Sequence, residues 1–383
     1  MAPRMVRPKL MSWASEVDDK TLDQAERTAR LPFVAGHVAL MPDAHFGLGS
    51  TVGSVIPTEG AVIPSAIGVD IGCGMIAVRT DLTASHLPDT LGPVMPLFEA
   101  RIPAGVGKAH GDAVALTALG QPATELTPRQ RTTAATQFGT LGSGNHFVEV
   151  CLDESDRVWL VLHSGSRGIG NQLAQKAIAQ AKGLVKERFE TLEDPDLAYL
   201  VEGDPAWQTY ITDMLWAQRY ALGSRERMMD AAVTSLVEVV GRGREMQRIN
   251  CHHNFTQRER HDGRDLWITR KGAIKAAKGD LGVIPGSMGT RSYIVEGLGN
   301  EASYHSCAHG AGRRLSRNQA RKTLTVDSLR QSMAGRVWND RSAQALLDEH
   351  PASYKDIDQV MADQTDLVTV TATLRQIVNY KGT

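Results

Sequence analysis

The segment Gly68–Gly74, with the sequence GVDIGCG, follows the mostly apolar run Ala61–Ile67 and places Asp70 and Cys73 three positions apart. Its three glycines allow positive φ angles and a close approach of the backbone to other groups. A carboxylate and a thiolate directed at one point are half of a metal site. A tight turn that carries one buried free cysteine explains the same residues equally well. The rest of the chain therefore has to supply the other half of the site.

Composition limits the class of protein. The chain has 383 residues, of which 42% are hydrophobic, enough for one large or two ordinary domains. No internal repeat or linker is found, so one mixed domain over residues 1–383 is expected. The net charge of −1 offers no general attraction for nucleic acid, so such a surface would have to be a local patch. No run is long enough to cross a membrane, Met1–Ser15 lacks the apolar core of a signal peptide, and four widely spaced cysteines indicate thiols. A cytoplasmic protein is predicted.

The hydrophobic pattern predicts an α+β fold. A helix is expected over Asp18–Leu31, and two helix-rich stretches are interpreted as a helical hairpin inserted at about 171–240. One strand is predicted to end at Pro42, and a short hairpin is predicted to pair Leu266–Arg270 with Gly272–Ala276. The predicted strands are Val34–Met41, Thr51–Ile56, Met75–Thr80, Val158–Leu162 and a strand near Leu367–Leu374.

Three histidines lie beside predicted strand ends and next to glycine, serine or asparagine: His146, His163 and His253. Each one alone is more often a hydrogen-bonded structural histidine. Together with Asp70 and Cys73 they would be five ligands, which is too many for one closed tetrahedral site but suits two ions that share a bridging thiolate. Ligand softness alone favours zinc. Spacing in the sequence does not show that these residues meet.

Two glycine-containing loops are suited to binding anions. His163 is followed by Ser-Gly-Ser-Arg-Gly at a strand end, and a helix is predicted from about Asn171, so backbone N–H groups can face an anion. In the segment Ser306–Arg314, His309 is followed by Gly-Ala-Gly-Arg, which can surround phosphate oxygens. An imidazole beside a phosphate can be a ligand, a general acid or base, or a nucleophile. A tight turn with a solvated arginine pair is the competing interpretation.

At these residues the chain resembles the RNA-splicing ligase RtcB family along nearly its whole length, and its bacterial members more than the longer archaeal and metazoan ones. The resemblance implies an RtcB-like fold, with β-sheets flanked by helices around a central dinuclear metal and nucleotide site. The matching motifs are Pro42-Asp-Ala-His, Gly68-Val-Asp-Ile-Gly-Cys-Gly, Gly144-Asn-His-Phe, Leu162-His-Ser-Gly-Ser-Arg-Gly, Cys251-His-His-Asn, Ile284-Pro-Gly-Ser-Met-Gly-Thr, His309-Gly-Ala-Gly-Arg and Asn379-Tyr-Lys-Gly.

The family resemblance implies GTP- and Mn²⁺-dependent joining of an RNA 3′-phosphate or 2′,3′-cyclic phosphate end to a 5′-hydroxyl end. It implies that Cys73 bridges two Mn²⁺ ions, with Asp70 and His146 on one and His163 and His253 on the other. His309 would attack the α-phosphate of GTP and carry GMP as a phosphoramidate. Ligand softness favours zinc, whereas the family resemblance implies manganese, and manganese is the metal expected here.

The resemblance also implies the nucleotide contacts. Glu149 would accept hydrogen bonds from guanine N1–H and the 2-amino group. Asp43 and His45 match a family motif, and each is expected either to support the metal ligands or to contact the RNA end. The other expected contacts are Asn145, Ser287, Ser292, Gly310, Ala311, Gly312, Arg313 and Lys381.

Two alternative functions are kept. A dinuclear metallophosphoesterase acting on RNA ends would use the same ions without GTP, and a non-catalytic subunit would bind RNA ends without turnover. The family resemblance further implies a monomer, with an archease-type activator as a possible partner and no membrane association.

Overall fold

A six-stranded and an eight-stranded β-sheet form the framework of the computed structural model, which describes residues 3–382. The strands in chain order are β1 (Arg4–Arg7), β2 (Leu10–Ser12), β3 (Val38–His45), β4 (Val52–Thr58), β5 (Ala61–Val62), β6 (Gly74–Thr83), β7 (Phe147–Leu152), β8 (Arg157–Ser164), β9 (Leu200–Val201), β10 (Glu245–His252), β11 (Asn254–His261), β12 (Arg264–Lys271), β13 (Ala273–Lys275), β14 (Leu281–Ile284), β15 (Arg291–Gly297), β16 (Ser306–Ala308), β17 (Val337–Trp338) and β18 (Val368–Lys381).

Helices pack against both sheets. The first helix begins after Asp18, whose Oδ1 accepts a 2.7 Å hydrogen bond from the Thr21 N–H and so caps the helix. None of the helices within residues 3–382 combines the length and apolar composition that a membrane crossing requires. The α-helices are α1 (Asp19–Ala29), α2 (Pro64–Ile67), α3 (Val94–Arg101), α4 (Pro128–Gln137), α5 (Arg167–Glu187), α6 (Pro205–Val240), α7 (Arg317–Thr323), α8 (Val326–Ser332) and α9 (Ile357–Ala362).

The two large sheets are mostly antiparallel. The smaller has the order β1-β2-β3-β4-β12-β11, in which β2 and β3 are parallel. The larger has the order β10-β6-β8-β7-β18-β15-β14, and β17 pairs in parallel with β18. Two small sheets, β13 with β16 and β5 with β9, complete the arrangement. Neighbours in the β10 to β18 part of the larger sheet alternate in direction, so the ends and beginnings of successive strands meet along the same side of the sheet.

Two apolar clusters hold this framework together. One covers a face of the larger sheet, where Val148 and Leu160 pack with Met228 of α6. The other is shared by the two sheets and joins Met41 of β3 to Val295 of β15. The burial of these faces explains why the strands read as nearly continuous apolar runs in the sequence.

The expectation of a mixed domain of sheets and helices is confirmed for residues 3–382, while residues 1, 2 and 383 of the predicted domain lie outside the described residues. The helices α1, α5 and α6 lie where they are predicted, although α5 begins at Arg167, ahead of the expected start near Asn171. Ala177 of α5 and Met214 of α6 belong to one buried cluster, so the two helices pack together. That the segment at about 171–240 is an insertion stays a prediction.

Three details of the strand prediction are wrong. β3 begins at Val38 and not at Val34, which forms an isolated bridge with Thr58. β3 runs through Pro42, because the pairing of β3 with β4 is irregular between Leu40 and His45 and no ladder bond from Pro42 is needed there. β13 does not pair with β12 but with β16, while β12 pairs with β11 and β4. Only Gly272 separates β12 from β13, which is too short a connection for a hairpin.

The substitution Leu160→Ala tests the packing of the larger sheet. Leu160 is fully buried between the sheet and its helices. We expect the free energy of unfolding to fall by about 2–5 kcal/mol, because a cavity replaces the side chain. Leu48→Ala is the matched control, since Leu48 is 85% exposed and should change stability by no more than about 0.5 kcal/mol. Urea denaturation measures both, and equal effects would contradict this description of the core.

Candidate functional site

One side of the larger sheet brings together the predicted ligand residues. Cys73 stands directly before β6, and His146 directly before β7. His163 is the penultimate residue of β8, and His253 follows β10. Since β10, β6, β8 and β7 are consecutive antiparallel neighbours, the strand ends that carry these four residues lie side by side at one end of the sheet. The convergence that spacing in the sequence does not show is thus a consequence of strand order.

The ligand-type atoms lie at the separations expected of atoms that share an ion. Cys73 Sγ is 3.5 Å from His146 Nε2 and 3.3 Å from His163 Nε2. His163 Nε2 is 3.3 Å from His253 Nε2, and Asp70 Oδ2 is 3.3 Å from His146 Nε2. Two atoms at about 2.1 Å from one ion and at a tetrahedral angle would be about 3.4 Å apart. The five residues therefore fit metal binding, and Cys73 stands in the middle of the series.

The electrostatics of this cluster favour a cation. Burial lowers the pKa of His163 and of His253 well below the usual range, so both imidazoles are neutral at pH 7, as metal ligands must be. Burial and the neighbouring Asp70 carboxylate raise the pKa of the Cys73 thiol well above its usual range. A thiolate at this position therefore needs positive charge beside it, which a metal ion supplies.

Asp70 is held from the loop after β8. Its Oδ1 accepts a 2.9 Å hydrogen bond from the Ser166 N–H. Burial acts to raise the pKa of Asp70, but the His146 ring and the Arg167 guanidinium outweigh it, so the carboxylate is charged. A Cβ atom on Gly165 would lie 2.2 Å from Asp70 Oδ1, which explains why a glycine stands there.

A buried arginine supports the cluster from behind. Arg225 of α6 is fully buried and donates from Nη1 to the carbonyl oxygens of Gly72 (2.7 Å) and Ser164 (3.1 Å). Its Nη2 lies 3.1 Å from His252 Nδ1, and its Nε donates to Asn250 Oδ1 at 2.8 Å. Each of these partners except Asn250 is the immediate neighbour of a ligand residue. Arg225 is thus a positioning residue for three ligand-bearing segments.

His309 follows β16 of the two-stranded sheet of β13 and β16 and approaches the cluster from outside the larger sheet. Its Nδ1 is 2.6 Å from Asp43 Oδ2, which also accepts the backbone N–H groups of His309 and Gly310 at 3.1 Å each. Asp43 is fully buried at the end of β3. A carboxylate that accepts Nδ1–H leaves Nε2 of His309 with a free lone pair. The His309 ring lies 4.8 Å from that of His253, so this nitrogen is next to the ligand cluster.

A cavity of about 290 Å³ opens beside His309 and the cluster. It contains most of the residues predicted for the nucleotide and metal sites. Those on its surface are Asp70, Cys73, Asn145, Glu149, His163, His253, Ser287, His309, Gly310, Ala311, Gly312, Arg313 and Lys381.

Two predicted residues are placed differently. His146 contacts Cys73 and Asp70 through Nε2 but is not on the cavity surface. Ser292 is fully buried in β15, where its hydroxyl accepts a 3.4 Å hydrogen bond from the Gly286 N–H. Ser292 therefore supports the loop that carries Ser287.

Glu149 is a second carboxyl group on the surface of the cavity. Its Oε1 accepts a 2.7 Å hydrogen bond from Asn379 Nδ2, and burial raises its pKa to about 8 although Lys381 acts in the opposite direction. The paired strands β7 and β18 bring these residues together, with Glu149 opposite Asn379. The cavity thus contains a carboxylate with unused acceptor capacity.

Glu349 holds the cationic wall of the cavity. Its Oε2 accepts a 2.6 Å hydrogen bond from the Tyr354 hydroxyl and lies 3.5 Å from Lys381 Nζ, and Arg313 Nη1 is 3.4 Å from its Oε1. The Arg313 guanidinium also stacks over the Tyr354 ring at 4.9 Å. Neither Glu349 nor Tyr354 carries a signal in the sequence, since both lie in a stretch without a glycine loop or a strand end.

Nearly the whole chain is similar to proteins of one family. A family model described as tRNA-splicing ligase RtcB matches residues 24–121 and 115–382. RNA-splicing ligase RtcB1 of one Escherichia coli strain is 46% identical over 397 positions, covering 98% of this chain and 97% of the relative. RNA-splicing ligase RtcB of Escherichia coli K12 is 45% identical with the same coverage. The tRNA-splicing ligase RtcB of Nanoarchaeum equitans is 28% identical, covering 95% of this chain and 92% of the relative.

The substitution Arg225→Met tests the support behind the cluster. It leaves the carbonyl groups of Gly72 and Ser164 without their donor in a buried place, so we expect the free energy of unfolding to fall by at least about 1–3 kcal/mol. We also expect less bound metal per chain, because the ligand segments lose their common support. Arg242→Met, at an exposed arginine, is the control. Elemental analysis measures the bound metal, and urea denaturation measures the free energy of unfolding. A variant with the stability and metal content of the parent chain would disprove the role of Arg225.

Proposed function

The chain belongs to the RtcB tRNA-splicing ligase family and is an RNA ligase; we propose that it joins RNA 3′-phosphate or 2′,3′-cyclic phosphate ends to 5′-hydroxyl ends with GTP and Mn²⁺. The observation that carries this proposal is the position of His309. Its ring is held by Asp43 through Nδ1, and it lies on the surface of the cavity beside the ligand cluster. An imidazole held in this way can serve as a nucleophile toward a phosphate bound in the cavity, which supports the proposal.

In the proposed reaction, His309 Nε2 attacks the α-phosphorus of GTP. A P–N bond forms, the bond from the α-phosphorus to the bridging oxygen breaks, and pyrophosphate leaves. Asp43 accepts the Nδ1–H throughout, so it stabilises the positive charge that develops on the ring. An oxygen of the RNA 3′-phosphate then attacks the phosphoramidate, the P–N bond breaks, and GMP is joined to the RNA end as an anhydride. The 5′-hydroxyl finally attacks the RNA phosphate, loses its proton and displaces GMP.

The proposed metal site consists of Asp70, Cys73, His146, His163 and His253. These residues would hold two Mn²⁺ ions, which supply neutralisation of phosphate charge and activation of a water for opening a cyclic end. The donor separations around Cys73 support metal binding. The thiolate and imidazole donors alone favour zinc, and the family resemblance is the reason for proposing manganese.

The proposed nucleotide site is the cavity on whose surface His309 lies. Ala311 and Gly312 can donate backbone N–H groups to phosphate oxygens, while the N–H of Gly310 is already bound to Asp43 Oδ2. Arg313 and Lys381 provide positive charge. Glu149 can accept hydrogen bonds from the two adjacent donors of a guanine edge. Asn145 and Ser287 also face the cavity, whereas Ser292 would act through the Gly286 loop.

RNA ends are the proposed partners, and a requirement for an archease-type activator stays a prediction, as does a monomeric state. The four cysteines are all free thiols, which agrees with the proposed cytoplasmic location.

Transfer of label from α-labelled GTP tests the proposed reaction. With Mn²⁺ present, we expect acid-labile label on the protein, and none on His309→Ala. Asp43→Asn should reduce the rate of labelling by about 10²-fold or more, because the ring loses its charge stabilisation and its preferred tautomer. Asp327→Asn is the control, since the Asp327 side chain is 93% exposed.

The same assay separates the alternatives. Absence of label on the parent chain, or label that His309→Ala does not change, would exclude the proposed intermediate. Release of phosphate from RNA 3′ ends without GTP would instead indicate a phosphoesterase.

The pH dependence of GTP binding tests Glu149. Guanine donors require the ionised carboxylate, and burial raises the pKa of Glu149 to about 8 in the free protein. Binding therefore favours the deprotonated form, so the GTP affinity should rise by up to about tenfold per pH unit below pH 8 and level off above it. Glu149→Gln should bind GTP more weakly and without this slope, whereas Glu238→Gln, at an exposed glutamate, should behave as the parent chain does. Calorimetry from pH 7 to 9 measures both, and an unchanged slope in Glu149→Gln would contradict the assignment.

A further inference from the structure

A second group of metal-ligating side chains lies outside the cavity. Glu259 and His261 belong to β11, and His305 directly precedes β16. Their ligand-type atoms all lie within 4.8 Å of one another. Glu301 joins them from the turn before His305, with Oε1 2.9 Å from His305 Nε2. None of these residues belongs to the site described above.

Arg270 and Glu259 set the state of the His261 ring. The fully buried guanidinium of Arg270 donates to Glu259 Oε1 at 2.5 Å and to Oε2 at 3.2 Å. Burial acts to raise the pKa of Glu259, but Arg270 outweighs it, so the carboxylate is charged. Glu259 Oε2 lies 3.3 Å from His261 Nε2 and accepts its N–H. A carboxylate behind one ring nitrogen is the usual support of a histidine that binds a metal through the other.

The other nitrogen of His261 has no hydrogen-bond partner among residues 3–382. The His261 side chain is 3% exposed, and its Nδ1 atom is buried. The atom lies 3.6 Å from Glu301 Oε2, which is too far for a hydrogen bond. A buried lone pair that faces a carboxylate oxygen is unfavourable unless positive charge lies between them. The separation of 3.6 Å is close to that of two ligands on one ion.

We propose that His261 Nδ1, His305 and Glu301 bind a divalent transition-metal cation of the zinc class, with Glu259 supporting His261 from behind. Two imidazoles and a carboxylate, without a thiolate, suit Zn²⁺ and Co²⁺. The Glu301 side chain is 70% exposed, so water can reach the ion and complete its coordination. This proposal does not depend on the proposed function.

The position of the group gives the ion a structural role. His305 is followed by β16, which ends at Ala308, directly before His309. Arg270 also donates to Ser306 Oγ at 2.8 Å and to the Tyr304 carbonyl at 2.9 Å, so the start of β16 is already tied to β12. An ion between His261 and His305 would add a link from β11 to the same segment. It would thereby restrict the segment that carries His309.

Zinc content per chain tests the proposal. The intact protein is loaded with Zn²⁺ at neutral pH, passed through a desalting column and analysed by mass spectrometry of the metal. We expect His261→Gln and Glu301→Gln each to hold about one Zn²⁺ per chain less than the parent chain. Glu296→Gln, at an exposed glutamate of β15, is the matched control for the lost charge and should retain the full content. Equal zinc content in the parent chain and in Glu301→Gln would overturn the proposal, even if His261→Gln fails to fold, because Glu301 is exposed.

Cobalt spectra distinguish this ion from the metal at Cys73. Cobalt bound by a thiolate shows a sulfur-to-metal charge-transfer band, and cobalt bound by imidazole and carboxylate does not. In Cys73→Ala we expect Co²⁺ to give ligand-field bands without the charge-transfer band. Asp70, His146, His163 and His253 can still bind cobalt there, so we expect the additional change Glu301→Gln to lower the intensity of these bands by the share of one ion. Ligand-field bands that persist unchanged in the double variant would overturn the assignment, whatever the outcome of the GTP-labelling assay.

Discussion

The guanidinium of Arg225 is the contact on which the arrangement of the ligand cluster depends. It is fully buried, and its hydrogen-bond partners are two carbonyl oxygens, an amide oxygen and an imidazole, none of which carries a full negative charge. A buried charge without an ionic partner is expensive unless the surroundings stabilise it. Here the Arg225 charge acts to lower the pKa of Cys73, so the cation and the thiolate of an assembled site stabilise each other. Burial lowers the pKa of Arg225 itself, which agrees with a site that needs negative charge nearby.

The larger sheet supplies one half of the candidate site, and the six-stranded sheet together with the two-stranded sheet of β13 and β16 supplies the other. The antiparallel strands of the larger sheet bring the thiol and the predicted histidine ligands together at one end of the sheet. Asp43 lies in β3, and His309 directly follows β16. Asp43 Oδ2 accepts three N–H groups from the start of the loop at His309, and so fixes both its backbone and its ring. Gly312 has a φ of +74°, and a Cβ atom there would lie 2.3 Å from the Asp43 carbonyl oxygen, so the loop closes around Asp43 only with glycine at this position.

The residues that the sequence reveals are those whose chemistry is local. Cys73 and His163 stand beside glycines at strand ends, a pattern visible without a structure. Arg225 could not be selected, because an arginine in the middle of a long helix looks the same whether it is solvated or buried against carbonyl groups. The motif around Asp43 is visible in the sequence, but the role of Asp43 depends on a hydrogen bond to a residue 266 positions away in the chain. The predicted pairing of β12 with β13 is wrong because apolar alternation predicts strands but not their partners. Here the connection is Gly272 alone, which is too short to let the two strands pair with each other.

Two buried carboxylates in one cavity have opposite electrostatic characters, and their partners explain the difference. Glu349 accepts from Tyr354 and is surrounded by Arg313 and Lys381, so its pKa is lowered in spite of burial. Glu149 has an amide donor from Asn379, and burial raises its pKa to about 8. Glu349 is therefore a fixed anion that orders the cationic wall, and it has no need of a ligand. Glu149 gains its missing donors only when a ligand with two adjacent N–H groups arrives, and this asymmetry is what would give the proposed nucleotide site its preference for guanine.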